Sequence, residues 1–305
     1  MSEMPLRALD GANPLGFLAA VGAVRLCDLL WPGGEVRMRW MREARWVPAL
    51  SGIPAESEEE LCAALAERAP WAPLDAFDRL GKNLTVSREE FGETARRVVR
   101  QMGSSDRAAA DFLAAFGNEV YEEEKKGRIT YTDLCFITGS GHQDFLGSAS
   151  ALARAAGAAH LRAALFLPWR RTDKGNSFRW DPEDAKEYAL RWRDPSIGGA
   201  STVWGANRLA FEALPFYPTV PAGSTLRTTA FNTNAGAHEF TWPIWIQAAS
   251  ADSIRSLVGM RPLQEPTPDR EALSAMGVAE VFRAQRVRIG QGANFKVSFR
   301  PARAV

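Results

Sequence analysis

The chain is poor in the residues that build metal centres and covalent cross-links. Its three cysteines, Cys27, Cys62 and Cys135, lie far apart, with no Cys-x-x-Cys pair and no histidine at ligand spacing. That pattern suggests neither a zinc site nor a disulfide framework and fits a reducing compartment. Net charge is nearly absent too: 37 basic against 36 acidic side chains leave +1, so any nucleic-acid binding has to come from local asymmetry. The apolar run from Leu15 to Val24 is preceded by Glu3 and Asp10 and followed by Arg25 and Asp28, which does not suit a signal peptide. It also falls short of the roughly 20 apolar residues that span a bilayer. A cytoplasmic protein without a membrane partner is expected.

Catalytic signatures are missing as well. There is no Gly-x-Ser-x-Gly elbow, no phosphate-binding Gly-x-x-x-x-Gly-Lys-Ser/Thr and no Gly-x-Gly-x-x-Gly fingerprint, so no cofactor is expected. Paired acids such as Glu89-Glu90 and Glu183-Asp184 sit in charged stretches that read as solvated surface.

What is present is material for a large core: 305 residues, 46% hydrophobic, with ten tryptophans, enough for one big domain or two ordinary ones. Pro5 to Leu9 reads as a strand, and Pro14 to Leu30 as a helix capped by Asn13 and stopped by Pro32-Gly33-Gly34. The glycines and alanines of that helix allow another backbone to come close. Val36 to Trp40 and Trp46 to Leu50 read as paired strands. Helices follow near Glu58, over Ser87 to Met102 and over Asp106 to Phe116, and Glu122 to Gly127 reads as a solvated helix end. Thr132 to Thr138 reads as a buried strand and Gln143 to Ala156 as a helix; beyond them come a helix over Ala206 to Leu214 and strands over Leu226 to Phe231 and Glu239 to Gln247. Val281 to Ile289 and Phe295 to Arg300 flank Gly290-Gln291-Gly292-Ala293-Asn294 as a hairpin. The expected class is α+β, with a mixed or antiparallel sheet shared by the N-terminal unit and the C-terminal strands, covered by helices. The expected organisation is an N-terminal unit (1–54), a helical insertion (55–127) and a region completing the sheet (128–305).

Two constellations suggest chemistry. Between Val281 and Val305 stand six basic residues and no acid: Arg283, Arg286, Arg288, Lys296, Arg300 and Arg303. Arginine forks match phosphate oxygens, and Phe282, Phe295 and Phe299 would offer ring faces to unpaired bases. A second basic stretch, Arg37 and Arg39 with Arg42 and Arg45, would extend this strip if both hairpins shared one sheet face. The bland alternative is an amphipathic hairpin with its arginines in water or paired with acids. The other constellation is the Gly139–Asp144 loop between a strand and a helix. There the backbone around Gly139 and Gly141 would cradle an anion, and His142, Gln143 and Asp144 would carry acid–base or metal chemistry. Against this, Asp144 repels phosphate, and helix capping accounts for the same residues. His160 and His238 read as structural, and Trp180 and Trp192, in two Arg-Trp echoes ending at Asp-Pro, as core anchors or stacking platforms.

The opening Leu9-Asp10-Gly11-Ala12-Asn13-Pro14-Leu15-Gly16-Phe17, running through the small-residue helix to Trp31-Pro32-Gly33, resembles the N-terminal signature of type I-G (formerly I-U) CRISPR-associated proteins. Ala206-Asn207-Arg208-Leu209-Ala210, Phe216-Tyr217-Pro218 and Phe240-Thr241-Trp242-Pro243-Ile244-Trp245 are similar to later blocks of that group. Large subunits of the group are longer than this chain, so the resemblance implies a large-subunit-like or accessory component of the crRNA-guided effector. It further implies contact with guide RNA or target DNA and with neighbouring subunits, with cleavage left to a separate nuclease-helicase and no catalytic residues of its own. Two rivals stand beside this reading: a metal- or base-assisted nuclease or nucleotide-processing enzyme centred on Gly139–Asp144, and a protein-interaction scaffold anchored by exposed tryptophans.

Overall fold

The computed structural model describes residues 3–103, 107–123, 127–137, 144–184, 201–234, 236–289 and 296–305. β1 (Met4–Pro5) leads through a turn into α1 (Pro14–Leu30), followed by β2 (Arg37–Arg42), β3 (Trp46–Ser51) and α2 (Glu58–Arg68). Next come α3 (Arg88–Gln101), α4 (Ala108–Phe116), the hairpin β4 (Gly117–Glu123) and β5 (Arg128–Tyr131), then α5 (Phe145–Ala155) and α6 (Ala158–Phe166). The short pair β6 (Asp173–Lys174) and β7 (Ser201–Thr202) precedes α7 (Trp204–Phe211) and the hairpin β8 (Thr219–Ala222) and β9 (Thr225–Thr228). The chain closes with β10 (Phe231–Asn234), β11 (Ala237–Trp245), α8 (Ala251–Val258), α9 (Arg270–Ala275), β12 (Val278–Ile289), β13 (Lys296–Phe299) and β14 (Arg303–Ala304). The fold is α+β, and every strand pairing among the described residues is antiparallel.

α1 is the central element, buried from Pro14 through Cys27. The Asn13 carboxamide oxygen accepts from the N–H groups of Leu15 and Gly16, at 2.9 and 3.3 Å, which caps the helix as its sequence predicts. Small residues let α1 and α7 approach: a Cβ on Gly22 would overlap the Leu209 carbonyl oxygen. The cap also reaches across the fold. Asn13 Nδ2 donates to Asp181 Oδ1 at 2.8 Å, and Arg171 Nε donates to Asp181 Oδ2 at 2.8 Å. The most recognisable stretch of the sequence therefore serves as a buried structural joint.

One sheet shared by the two ends of the chain was expected; two are found. β1, β3 and β2 form a three-stranded sheet, while β10, β11, β12 and β13, with β14 also on β12, form a separate five-stranded one. They meet where Trp245 of β11 packs edge-on against Trp40 and donates its Nε1–H to the Met38 carbonyl at 2.9 Å, and Met38 exchanges two N–H···O bonds of 2.9 Å with Ala249 just past β11. One aromatic core runs beneath both sheets and the helices, with Phe17 packed between Trp40, Trp242 and Trp245.

Local expectations differ at four places. β1 is shorter than the predicted Pro5 to Leu9 strand, because the Leu9 N–H turns back to the Leu6 carbonyl at 3.0 Å. The charge run read as a helix end instead places Glu122 and Glu123 at the close of β4, with Glu123 facing Arg128 across the hairpin. Thr132 to Ile137 is buried as predicted for most of its length but pairs with no strand, Thr138 lying outside the described residues. The strand expected over Leu226 to Phe231 splits at Thr229-Ala230 into β9 and β10. No described helix is long and apolar enough to cross a membrane.

Candidate functional site

β12 decides where the terminal arginines point. Side chains alternate between sheet faces, and the β11–β12 register sets Phe240 opposite Ala284 and Trp242 opposite Phe282 on the core face. On the other face, Thr241 stands opposite Arg283. Arg283 is 3% exposed. Its Nε donates to Thr241 Oγ1 at 3.0 Å, and its terminal nitrogens donate to the carbonyls of Leu263, Glu265 and Pro266 at 2.9 to 3.4 Å. Glu239 lies 3.8 Å from it and also holds Arg303 at 3.0 Å. Arg283 is thus a structural strut and is removed from the set of phosphate contacts.

Arg286 and Arg288 stand on the core face, past the point where the core ends. Below them on β13, the Phe299 ring packs on Phe136 with centroids 4.6 Å apart, and the Arg286 guanidinium lies 5.2 Å from the Phe136 centroid. One register step beyond the Glu239–Gln285 pair places His238 across from Arg286. Arg286, Arg288 and His238 line a cleft of about 540 Å³ together with Arg128 and Tyr131 of β5, Asp133, and Asn83. Ile137 and Val297 are among its apolar lining residues.

Within this cleft the acids have partners. Glu123 Oε2 lies 3.1 Å from Arg128 Nε, and Asp133 Oδ1 lies 3.3 Å from His238 Nε2. Asp133 is itself fixed by its backbone N–H, which donates to Thr228 Oγ1 at 2.8 Å. Arg286 makes no ion pair among the described residues, and its Nε is buried without a hydrogen-bond partner. A cation held over an aromatic ring with a buried donor unused attracts an anion. Burial raises the Tyr131 phenol above its usual range, which keeps it a hydroxyl donor.

The remaining predicted residues do not join the cleft. Lys296 pairs with Ile289, one step from the Arg288–Val297 pair, and so stands on the opposite face. Arg300 lies just past β13, exposed. Arg37 and Arg39 belong to the other sheet, where Arg39 grips both carboxylate oxygens of Glu3 at 2.7 Å, so the two basic stretches do not make one strip. Of the second constellation, Gly139, Gly141, His142 and Gln143 lie outside the described residues. Asp144 stands at the start of α5 without a capping bond; its carboxylate accepts from Asn83 Nδ2 at 2.9 Å and lies 3.8 Å from Lys82 Nζ. Trp192 is likewise outside, whereas Trp180 is fully buried, stacked on Phe178 at 4.7 Å. All three cysteines are buried, and burial pushes the thiols of Cys62 and Cys135 up to about 12, which leaves them unreactive.

The sequence reading missed Arg128, Tyr131 and Asp133 and treated His238 as structural. No local pattern marks them, because β5, β11 and β12 meet only through the fold; the charge reversal across the β4–β5 turn was the one available hint. No protein-family model matches the chain, and the search of curated proteins returned no match.

Proposed function

We propose that this chain is a nucleic-acid-associated protein that holds the phosphate backbone of a single strand in the cleft of Arg286, Arg288 and Arg128. It acts by binding and not by catalysis, as a cytoplasmic subunit or accessory of a CRISPR interference complex, in contact with guide RNA or target DNA and with neighbouring subunits. The observation that carries the phosphate part is the Arg286 guanidinium, held over Phe136 in the cleft wall with no carboxylate on it among the described residues. Guanidinium donors in a partly dehydrated wall bind phosphate oxygens more strongly than the same groups in water. Support for the complex comes from the resemblance of Leu9 to Gly33 and of the later blocks to type I-G proteins.

A mobility-shift titration with single-stranded RNA and DNA tests the reading. The wild-type chain is expected to shift a strand, with affinity falling as salt rises. Charge reversal at Arg286 and Arg288 together is expected to abolish the shift. A shift that survives the double reversal, or none with the unaltered chain, rejects the reading. Shortened strands after incubation would transfer the cleft to the enzyme alternative, with the His238–Asp133 pair as its first suspect.

A further inference from the structure

Resting on that reading, we infer that the cleft selects ribose over deoxyribose, the Asp133 carboxylate accepting a hydrogen bond from a 2′-hydroxyl beside the phosphate that Arg286 holds. Charge is the first argument. Arg128, Arg286 and Arg288 line the cleft with Glu123 and Asp133, so with His238 neutral the described lining carries one net positive charge, which one internal phosphodiester neutralises. Arg286, its Nε buried and unpartnered, is placed to receive it. A carboxylate in the same wall repels that phosphate and weakens binding, unless the strand also brings a donor for the carboxylate to accept from. Asp133 is a carboxylate in that position.

Position is the second argument. Asp133 Oδ1 lies 3.3 Å from His238 Nε2, and His238 faces Arg286 one step beyond the Glu239–Gln285 pair, so the carboxylate stands beside the residue opposite the guanidinium's own. Its backbone N–H donates to Thr228 Oγ1 at 2.8 Å, which fixes the residue independently of its side chain. The other carboxylate oxygen, Oδ2, takes part in no hydrogen bond among the described residues, and the side chain is 22% exposed. An acceptor is thus left open in the cleft wall. In a ribose the 2′-hydroxyl sits on the carbon next to the one whose oxygen carries the 3′ phosphate, so a strand with a phosphate on Arg286 brings a hydroxyl donor to the same neighbourhood. Deoxyribose brings only C–H there and leaves Asp133 facing the phosphate without a donor.

Fluorescence anisotropy on the full chain tests this, with one short single-stranded sequence made as RNA, as DNA and as 2′-fluoro RNA. The fluoro strand keeps the sugar pucker of RNA but has no hydroxyl to donate. RNA is expected to bind about tenfold more tightly than DNA, the low end of what one hydrogen bond to a charged group contributes, and the 2′-fluoro strand to bind like DNA. Asp133→Ala is expected to bring the ratio of RNA to DNA affinity close to one, chiefly by tightening DNA, because the repulsion leaves together with the acceptor. A carboxylate that only held His238 in place would change both strands alike. Thermal melting of the variant should match the wild type; should it unfold, the 2′-fluoro strand on the unaltered chain decides alone. DNA binding as tightly as RNA, a 2′-fluoro strand binding like RNA, or a ratio unchanged in folded Asp133→Ala overturns the inference and leaves the wider reading standing. Failure to bind any strand overturns the reading itself.

Discussion

Arg283 and Arg286 stand three residues apart on β12 and meet opposite surroundings. Arg283 faces the segment 261–266 and spends its donors on Thr241 and three carbonyls. Arg286 faces the end of the aromatic core, leans on Phe136 and opens into the cleft. In composition the two are the same residue; strand parity separates them. A cluster of arginines on a strand is therefore two clusters, one spent on internal carbonyls and one on a face that runs out of hydrophobic cover at the cleft.

Arg283→Ala tests the inward side most severely. It leaves Glu239 with Arg303 as its remaining partner and strips the Leu263, Glu265 and Pro266 carbonyls of their donor, so a loss of about 3 kcal/mol in urea unfolding is expected. If Arg283→Ala unfolds no more easily than Arg288→Ala, the contrast between the faces is broken. The buried Arg25–Glu212 pair, with Nη1 and Oε2 2.7 Å apart, supplies a second inward case away from the sheet. Arg25→Ala leaves the Glu212 carboxylate buried without its ion-pair partner and is expected to cost about 3 kcal/mol by the same measurement.

The pH profile of stability sharpens the comparison next. Burial, reinforced by the like charge of Asp181, pushes the Asp184 carboxyl up to about 7, and burial raises Glu212 as well, against the pull of Arg25. Above the usual carboxylate range near 4, the folded chain then keeps protons that the unfolded chain has released. The stability they contribute is full at low pH and drains away as pH rises through about 7. Thermal melting should fall between pH 5 and 8 from these two groups. Asp184→Asn, which removes the charge while Ser177 and Thr202 still have an oxygen to donate to, should flatten that slope. An unchanged slope would show that Asp184 does not titrate there.

Arg288→Glu is expected to have the smallest effect on the fold, within about 0.5 kcal/mol, because the side chain is exposed at the strand end. Strand binding should nevertheless weaken at least tenfold. A variant that lost stability and binding together would erase the distinction between the two faces.

Much of the local structure was legible. Asn13-Pro14 with its apolar run marks α1, Ser87 with Glu90 marks the start of α3 with a capping box, and alternating Arg37-Met38-Arg39-Trp40 marks β2. These signals depend on neighbours in sequence, through caps, turns and side-chain period. Other features were invisible for the complementary reason. The Thr132 to Ile137 stretch looks like a strand because it is apolar, yet its burial comes from contacts with Phe299 and other distant residues, not from a ladder. α9, six residues between the strands of the larger sheet, carries too few to show a period, whereas α8 places Ala251, Ile254 and Val258 at helical spacing, a signal the sequence reading passed over.

By itself the sequence determined the class of the protein: an α+β chain with a large aromatic core, inert cysteines and an arginine-rich terminal hairpin. Only the tertiary structure decided that the two basic hairpins lie in separate sheets, that Arg283 is an internal strut, and that Arg128, Asp133 and His238 join Arg286 and Arg288 around one cleft. Propensity and periodicity act over a few residues, whereas burial and charge pairing are set by whichever distant segment lies opposite. Here that segment was 261–266 on one face of β12 and the β5 hairpin on the other.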